Sequence, residues 1–370
     1  MKNVILGAVG ATLALSAAAP ASAVSLTAIS APTIVGQTST ATLAGGGNPL
    51  YAATAARYSG VVSLIMETAA GNFICSGSLL GDRQSIVTAA HCVSGGAGTA
   101  TPIKTTAYFY GGSDQDVVPS NSPLATAVDV SAYFVNAGYT GQVVDENDIA
   151  VLRLADLAPA FATSYGLFTD DLTGTDFNVS GFGRRSDTGG SVGANLGTGR
   201  RRQGDNTFDY AIGDAAFNGQ FLSAFGGNAA KSRIMLADFD NGSAAQDSGC
   251  RIAVALGAGN GFCDLGRGAT EVMIAGGDSG GPSFVNGRIA TVTSFISSFG
   301  MNFGDVDNVL NNSFGELGGF VPVSIHQAFI RRSMVGGAVP EPATWAMMML
   351  GAGAVGGSLR RRRRTSVSFA

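Results

Sequence analysis

The 370-residue sequence predicts an all-β fold, a barrel or sandwich of short strands, on three observations. From Val61 onward, short apolar β-like runs recur, and each is bounded by turn residues. Glycine occupies 54 positions, which suits the tight turns that such a fold needs. Only 13% of the residues are charged and 45% are hydrophobic, so the chain can bury a core and is not disordered.

The N-terminus predicts a signal peptide over residues 1–23. Lys2 gives a positive start, Val4–Ala19 is apolar, and Ala21-Ser22-Ala23 has the small-x-small form that a signal peptidase accepts. A buried apolar helix is the weaker alternative. Residues 24–57 are rich in Ala, Ser, Thr and Gly, and we interpret them as a propeptide or flexible leader.

Short strands and Gly-rich loops then alternate along the chain. Ser324 can cap a short helix over Ile325–Met334. Arg200–Arg202 is interpreted as a solvated loop, with a processing site as the less favoured alternative. The clearest strand-like runs are Val61–Ile65, Ser85–Thr88, Ala107–Tyr110, Ile149–Leu154, Phe177–Ser180, Ile289–Thr293 and Gly319–Val323.

Residues 335–370 form a separate C-terminal module. Pro340-Glu341-Pro342 is followed by the apolar stretch 343–359, near the lower limit for spanning a bilayer, and then by Arg360–Arg364. A buried terminal helix with a solvated tail is the alternative. The module resembles the PEP-CTERM sorting signal of Gram-negative bacteria. The resemblance implies a transient inner-membrane anchor, cut by an exosortase-like sorting enzyme to release the protein to the surface, matrix or medium.

Cysteine usage and charge restrict the possible ligands. An even number of cysteines in an exported chain favours disulfides, and four allow three pairings, of which neighbour pairing closes two short loops. Zinc is disfavoured because there is no C-x-x-C spacing and there are only two His. The run Asp238–Gly242, with Asp247, could bind Ca²⁺, but a solvated acidic turn is favoured. We expect no metal, no cofactor and, for an acidic mature domain, no nucleic-acid partner.

Three segments carry the residue types that amide hydrolysis by a serine requires. The reaction needs a nucleophile, a base, a carboxylate that orients the base, and donors for the developing oxyanion. His91 follows an apolar strand in Thr88–Cys92, and Asp148 opens Asp148–Leu152. Ser279 sits in Gly-Asp-Ser-Gly-Gly-Pro, where glycines let the N–H groups of Gly277 and Ser279 converge on one oxygen.

These segments, in the order His, Asp, Ser, resemble the chymotrypsin (trypsin-like, S1) family of serine proteases. The resemblance implies two antiparallel six-stranded β-barrels over residues 58–334, with a short C-terminal helix and the active site between the barrels. It makes His91 the general base, Asp148 its orienting partner and Ser279 the nucleophile. It also implies the disulfides Cys75–Cys92 and Cys250–Cys263.

The same resemblance implies a substrate-binding region. Met273 takes the position at the base of the specificity pocket, where a carboxylate would be needed to bind Arg or Lys. Ser294 and Phe295 resemble the strand that binds the substrate backbone. Ile296 should narrow the pocket, so we expect cleavage after small or medium apolar residues.

Activation is the last property that the resemblance implies. In the family a freed Ile or Val α-amino group pairs with the Asp beside the serine, here Asp278, and Ile34-Val35-Gly36-Gln37 resembles such a start. The chain is thus predicted to be a secreted serine endopeptidase acting on proteins or peptides, processed by signal peptidase and the sorting enzyme. One alternative is a catalytically silent surface or matrix binding protein. Another is a membrane-embedded structural protein that keeps its tail.

Overall fold

The computed structural model describes residues 24–30, 34–54, 56–96 and 100–334. These residues form sixteen strands, in chain order β1 (Ala28–Ser30), β2 (Val35–Gly36), β3 (Val61–Thr68), β4 (Gly71–Leu79), β5 (Ser85–Thr88), β6 (Lys104–Phe109), β7 (Thr126–Val135), β8 (Ala150–Leu154), β9 (Asp176–Gly181), β10 (Arg202–Thr207), β11 (Tyr210–Ala211), β12 (Met235–Asp238), β13 (Val272–Met273), β14 (Pro282–Val285), β15 (Arg288–Ser298) and β16 (Leu317–Pro322). Their α-helices are α1 (Gln220–Ala224), α2 (Ser248–Ala255) and α3 (Gln327–Met334). The predominance of strands confirms the all-β class.

Strands β3 to β8 close into the first barrel, in the order β3-β4-β5-β8-β7-β6, with β6 paired back onto β3. Strand β5 is buried along its whole length, and Ile86 packs with Val151 of β8 in one core. Closure leaves no unpaired strand edge, which stabilises a short-stranded sheet. The predicted six-stranded first barrel is confirmed.

The second half is an eight-stranded sheet in the order β10-β9-β14-β15-β16-β12-β11, with β1 added on β15. Three rings fill its core: Phe177 stacks on Phe208 with centroids 4.0 Å apart, and Phe320 meets both edge-on. No pairing among the described strands joins β10 to β11, so the sheet is a curled half-barrel. Where a six-stranded second barrel was predicted, the described sheet is open between β10 and β11, because the two-residue β11 is followed by a helical segment whose aromatic side chains pack against the sheet.

Helix α3 closes the described chain. It follows a 3-10 turn, Val323–His326, and packs on β5 and β8 of the first barrel through the fully buried Ile330. The predicted short C-terminal helix is confirmed. No helix among the described residues is long and apolar enough to cross a membrane. The predicted signal peptide and the C-terminal module, with its apolar stretch 343–359, lie outside the described residues.

The segment 34–54 differs from the expected leader. Ile34, Val35 and Tyr51 are at most 1% exposed and pack in the core of the second half. Strand β2 pairs with β13. The Ala- and Gly-rich composition had indicated flexibility, but small residues here allow close packing: a Cβ on Gly36 would meet the Tyr51 ring at 2.3 Å. We therefore propose that the folded domain that follows the leader begins at residue 34 and not at residue 58.

Two arginines of the expected solvated loop are buried instead. Arg201 and Arg202 are 3% and 2% exposed. The guanidinium of Arg202 donates to the carbonyls of Thr40 and Ala41 and to the Asp116 carboxylate at 2.8 Å. Arg201 donates to carbonyls of the first barrel. The guanidinium groups thus satisfy main-chain acceptors of the segment 34–54 and of the first half of the molecule, a role that the sequence pattern did not indicate.

Both predicted disulfides are present, Cys75–Cys92 and Cys250–Cys263. The first joins β4 to the turn after β5, and the second joins α2 to the loop that follows it. Each closes a short loop, with sequence separations of 17 and 13. A disulfide of this kind stabilises the fold mainly by restricting the unfolded chain.

Candidate active site

His91 lies in the 3-10 turn Ala90–Cys92, which directly follows β5. Strand β5 pairs with β8 so that Thr88 stands opposite Ala150. This register places the turn after β5 beside the residues that precede β8. The Cys75–Cys92 disulfide holds the turn from the other side. The imidazole is therefore positioned by the barrel itself.

Asp148 precedes β8, is 1% exposed, and holds His91 at two points. Its Oδ1 accepts from the backbone N–H of His91 at 2.8 Å, and its Oδ2 lies 2.7 Å from His91 Nδ1. Ser294 Oγ also donates to Oδ2, at 2.6 Å. A carboxylate on Nδ1 favours the tautomer that leaves Nε2 free to accept a proton. The sequence had assigned Ser294 to substrate binding only, and its bond to Asp148 was missed.

The environment of His91 affects its basicity in two opposing ways. Burial of the imidazole lowers the pKa of His91, but the charge of Asp148 and the hydrogen bond to it together outweigh burial, so the pKa is raised overall. A raised pKa makes the imidazole a stronger proton acceptor. It also sets the pH below which the base would be protonated and inactive.

Ser279 lies in a tight turn between β13 and β14. Gly277 and Gly280 take φ values of 100° and 78°, a left-handed region that favours glycine. A Cβ at Gly280 would lie 1.9 Å from Thr88 Oγ1, so the turn packs directly on the end of β5, the strand that precedes His91. The N–H groups of Gly277 and Ser279 donate no hydrogen bond to any described residue. They are available to an oxyanion beside the serine.

Ser76 on β4 is a residue that the sequence did not single out. Its N–H donates to the carbonyl of Ser279 at 2.8 Å, and its Oγ donates to the carbonyl of Gly277 at 2.8 Å. The same Oγ accepts from Phe182 N–H at 2.9 Å. This fully buried hydroxyl therefore positions the serine turn against the first barrel. The available signal was a serine next to Cys75 in the buried half of β4, which Ser78 of the same strand shares.

Ser279 and His91, the expected nucleophile and base, share one cleft but are not hydrogen-bonded to each other. Ser279 and His91 both line a cavity of about 680 Å³ at the junction of the first barrel and the second half of the molecule. His91 Nε2 is buried and has no hydrogen-bond partner among the described residues. Catalytic hydrogen bonds are often long before substrate is bound, so this spacing is compatible with a serine–histidine pair.

Comparison with known families agrees with this geometry. Residues 50–229 match the Trypsin family model, and residues 338–364 match the PEP-CTERM protein-sorting motif. The chain carries a trypsin-family domain. No curated protein matches it. The family match includes His91 and Asp148 but ends before Ser279, so the assignment of the serine depends on the cleft geometry.

The Asp beside the serine of this trypsin-family domain is completely buried and binds the segment that begins at Ile34. One oxygen of Asp278 accepts from Gly183 N–H at 2.7 Å. The other accepts from Ala275 N–H at 2.7 Å and from Ile34 N–H. Burial raises the pKa of Asp278 to about 7, although these backbone hydrogen bonds lower it in part. Ile34 thus meets Asp278, the two residues that the family resemblance had paired.

The expected substrate-binding edge of the domain is paired with the leader. Strand β14 pairs with β15 only as far as Val292, which leaves the following residues of β15 free on that side. Strand β1 fills this edge in antiparallel register, with Ser30 opposite Ile296. Ser30 also lines the cleft beside His91. A short extended peptide therefore occupies the edge where the sequence placed the substrate backbone.

The predicted specificity residues lie beneath the cleft surface. Met273, Phe295 and Ile296 are at most 1% exposed, and none of them lines the 680 Å³ cavity. Met273 and Ile296 pack in the same core cluster. The structure thus buries both residues in one core, and neither reaches the surface of the cleft that holds Ser279.

Proposed function

We propose that the chain is an exported serine endopeptidase that hydrolyses peptide bonds in proteins through an acyl-enzyme. One observation carries the proposal. Asp148 orients His91 in the cleft that also holds Ser279, and two unpaired N–H groups lie beside that serine. This arrangement supplies nucleophile, base, orienting carboxylate and oxyanion donors without a cofactor.

The chemistry follows from these positions. His91 Nε2 takes the proton of Ser279 Oγ as the oxygen attacks the carbonyl carbon of the scissile bond. The N–H groups of Gly277 and Ser279 bind the developing oxyanion, and loss of one such donor typically costs about 10²- to 10³-fold in rate. His91 then protonates the leaving amine, and a water activated in the same way hydrolyses the ester.

The contact between Ile34 and Asp278 supports synthesis as an inactive precursor. Before cleavage, the partner of the buried Asp278 is a neutral peptide N–H. Cutting between Thr33 and Ile34 would turn that nitrogen into an ammonium group. An opposite charge stabilises an ionised carboxylate, so the cut would strengthen the contact that supports Gly277 and Ser279. Residues 31–33 lie outside the described chain, and the exact cut is proposed from Ile34 alone.

Strand β1 supports a second contribution to latency. Its pairing with β15 uses the backbone groups that an extended substrate would need, and Ser30 stands in the cleft. A substrate must displace this strand to bind. We therefore expect the leader to block the site until cleavage lowers its effective concentration and lets it dissociate.

Specificity and sorting complete the proposal. Because Met273 and Ile296 are apolar and buried, an arginine side chain directed at them would lose hydration without gaining a counter-charge. We propose cleavage after Ala, Val or Leu. The PEP-CTERM motif indicates export and surface sorting in Gram-negative bacteria. We propose that residues 343–359 anchor the precursor in the inner membrane until the sorting enzyme removes the tail.

A silent binding protein is the second candidate, and the missing hydrogen bond between Ser279 and His91 is the observation that favours it. Processed protein and its Ser279→Ala variant should be compared on peptide substrates with Ala, Leu, Phe or Arg before the bond. The proposal expects turnover that the variant lacks. A fully processed, folded protein with no turnover on any of them would favour the silent protein.

A further inference from the structure

A group of acidic side chains lies buried in the second half of the molecule, away from the catalytic triad. Its members are at most 7% exposed: Asp209, Asp238, Asp240, Asp247 and Glu271. The sequence had favoured a solvated acidic turn for the run from Asp238, and this was wrong. Asp238 ends β12 and Asp240 is fully buried, whereas Asn241 and Gly242, which follow, are exposed.

Three of these carboxylates converge on one point. Ligand oxygens of Asp238, Asp240 and Asp247 all lie within 4.8 Å of one another. Two oxygens on opposite sides of a calcium ion, each at 2.3–2.6 Å, are separated by about 4.6–5.2 Å. The three carboxylates therefore fit around a single ion of that size.

Asp240 supplies an independent sign that something is bound there. It is 0% exposed, and neither of its carboxylate oxygens has a hydrogen-bond partner among the described residues. Buried carboxylates are normally paired or hydrogen-bonded, because losing hydration without a partner is costly. No described basic side chain forms an ion pair with any of the three carboxylates. Protonation of Asp240 is the alternative to cation binding, because burial and neighbouring carboxylates raise the pKa of Asp240 to about 10.

The other carboxylates of the group are held in place by backbone donors. Asp238 accepts from Gly249 N–H at 2.8 Å, and Asp247 accepts from Cys250 N–H at 2.8 Å. Each of these bonds uses one oxygen. The Cys250–Cys263 disulfide ties α2, which Asp247 caps, to the loop beyond. Asp209, which accepts from Asp238 N–H at 2.9 Å, lines a cavity of about 490 Å³ together with Asp264.

We propose that Asp238, Asp240 and Asp247 bind one divalent cation, and that the cation is Ca²⁺. The donors are all hard carboxylate oxygens, and the nearby sulfurs are tied up in a disulfide. Such a donor set suits Ca²⁺ or Mg²⁺ and not zinc. Irregular geometry with several carboxylates favours Ca²⁺, because Mg²⁺ demands near-ideal octahedral coordination.

The proposed cation site lies next to the β2–β13 strand pair, which leads to the contact between Ile34 and Asp278. Glu271 accepts from Asp240 N–H at 2.5 Å and directly precedes β13, which pairs with β2. The side chain of Gln37, just after β2, donates to the carbonyl of Asp240. The cation would therefore brace the β2–β13 pair that holds Ile34 at Asp278.

The test uses the full chain with Ser279→Ala, so that self-cleavage does not affect the result. After removal of metal with a chelator, millimolar Ca²⁺ should raise the melting temperature by about 5 °C, and Mg²⁺ should raise it less. Adding Asp240→Asn should abolish the Ca²⁺ shift. Without metal, the same substitution should leave the melting temperature unchanged or higher, because it removes an unpartnered carboxylate. The exposed Asp156→Asn is the matched control and should keep the full shift.

A second measurement does not depend on a folded Asp240 variant. Tb³⁺, a luminescent analogue of Ca²⁺, should bind the Ser279→Ala protein and be sensitised by the buried Tyr210, whose pKa is raised by burial and by the nearby Asp209, Asp238 and Asp247. Ca²⁺ should displace it. The proposal is overturned if millimolar Ca²⁺ gives neither a thermal shift nor displacement of Tb³⁺. It is equally overturned if Asp240→Asn keeps the full Ca²⁺ shift.

Discussion

Replacing Asp278 by Asn removes the negative charge from the contact between Asp278 and Ile34, with almost no change in side-chain shape. The carboxylate accepts three backbone N–H groups through two oxygens, from Ile34, Gly183 and Ala275. An amide has one oxygen, so at least one buried N–H loses its acceptor and faces the new NH₂ group. Each unsatisfied donor costs about 1–3 kcal/mol.

In the cleaved protein the free-energy cost of Asp278→Asn should be larger, because the partner of Asp278 is then the charged α-amino group of Ile34. Removing one member of a buried ion pair costs about 3–5 kcal/mol. At 1.36 kcal/mol per factor of ten, this corresponds to about 10²- to 10⁴-fold in the population of the active form. Since Asp278 lies between the two oxyanion donors in sequence, kcat/KM should fall by that factor.

The assay needs protein whose N-terminus has been sequenced and begins at Ile34. Peptide turnover and fluorophosphonate labelling of Ser279 should slow together in Asp278→Asn, and thermal unfolding should show that the variant is folded. Asp156→Asn, an exposed carboxylate, should behave as the parent does. If cleaved Asp278→Asn kept kcat/KM within about threefold of the parent, the reasoning about this contact would be refuted.

Three further predictions concern the base, the pocket and the tail. Asp148→Asn should lower kcat/KM about 10⁴-fold. Because Asp148 raises the pKa of His91, the acid limb of the parent's pH–rate profile should lie above the usual imidazole pKa of about 6.5. An acid limb below that value would contradict the effect of Asp148 on His91. Ile296→Gly should raise the preference for Phe over Ala before the scissile bond by about tenfold in a chromogenic series, and an unchanged ratio would place Ile296 away from the substrate. Intact-mass analysis of exported protein should find no Arg360–Arg364, and their presence would count against removal of the tail.

Sequence motifs indicated the candidate site because each of its segments is local in the sequence. The segments around His91, Asp148 and Ser279 are short, and the register between β5 and β8 then brings the first two together. The first barrel was implied by the family resemblance that these motifs carry, and its strand-like runs are bounded by turn residues in the sequence. Patterns of this kind are encoded by neighbouring residues, so they are readable without a structure.

Long-range burial was not readable in the same way. Ile34 contacts Asp278 across 244 positions, and its Ala- and Gly-rich surroundings had indicated a flexible leader. Arg202 and Asp240 were expected in solvent because charged residues rarely lie inside. Their burial depends on partners from distant segments, such as the carbonyl of Thr40 for Arg202, and no local period reveals such partners.

The most direct test of the central claim is to map a covalent label on the processed protein. A fluorophosphonate probe should modify protein that begins at Ile34 once per chain, and peptide mapping should place the label on Ser279. Ser279→Ala should take up no label, and His91→Ala should take it up far more slowly, because the serine then lacks its base. Absence of label at Ser279 in folded protein cut at the Thr33–Ile34 bond, or a label on another residue, would contradict the assignment of Ser279 as the nucleophile.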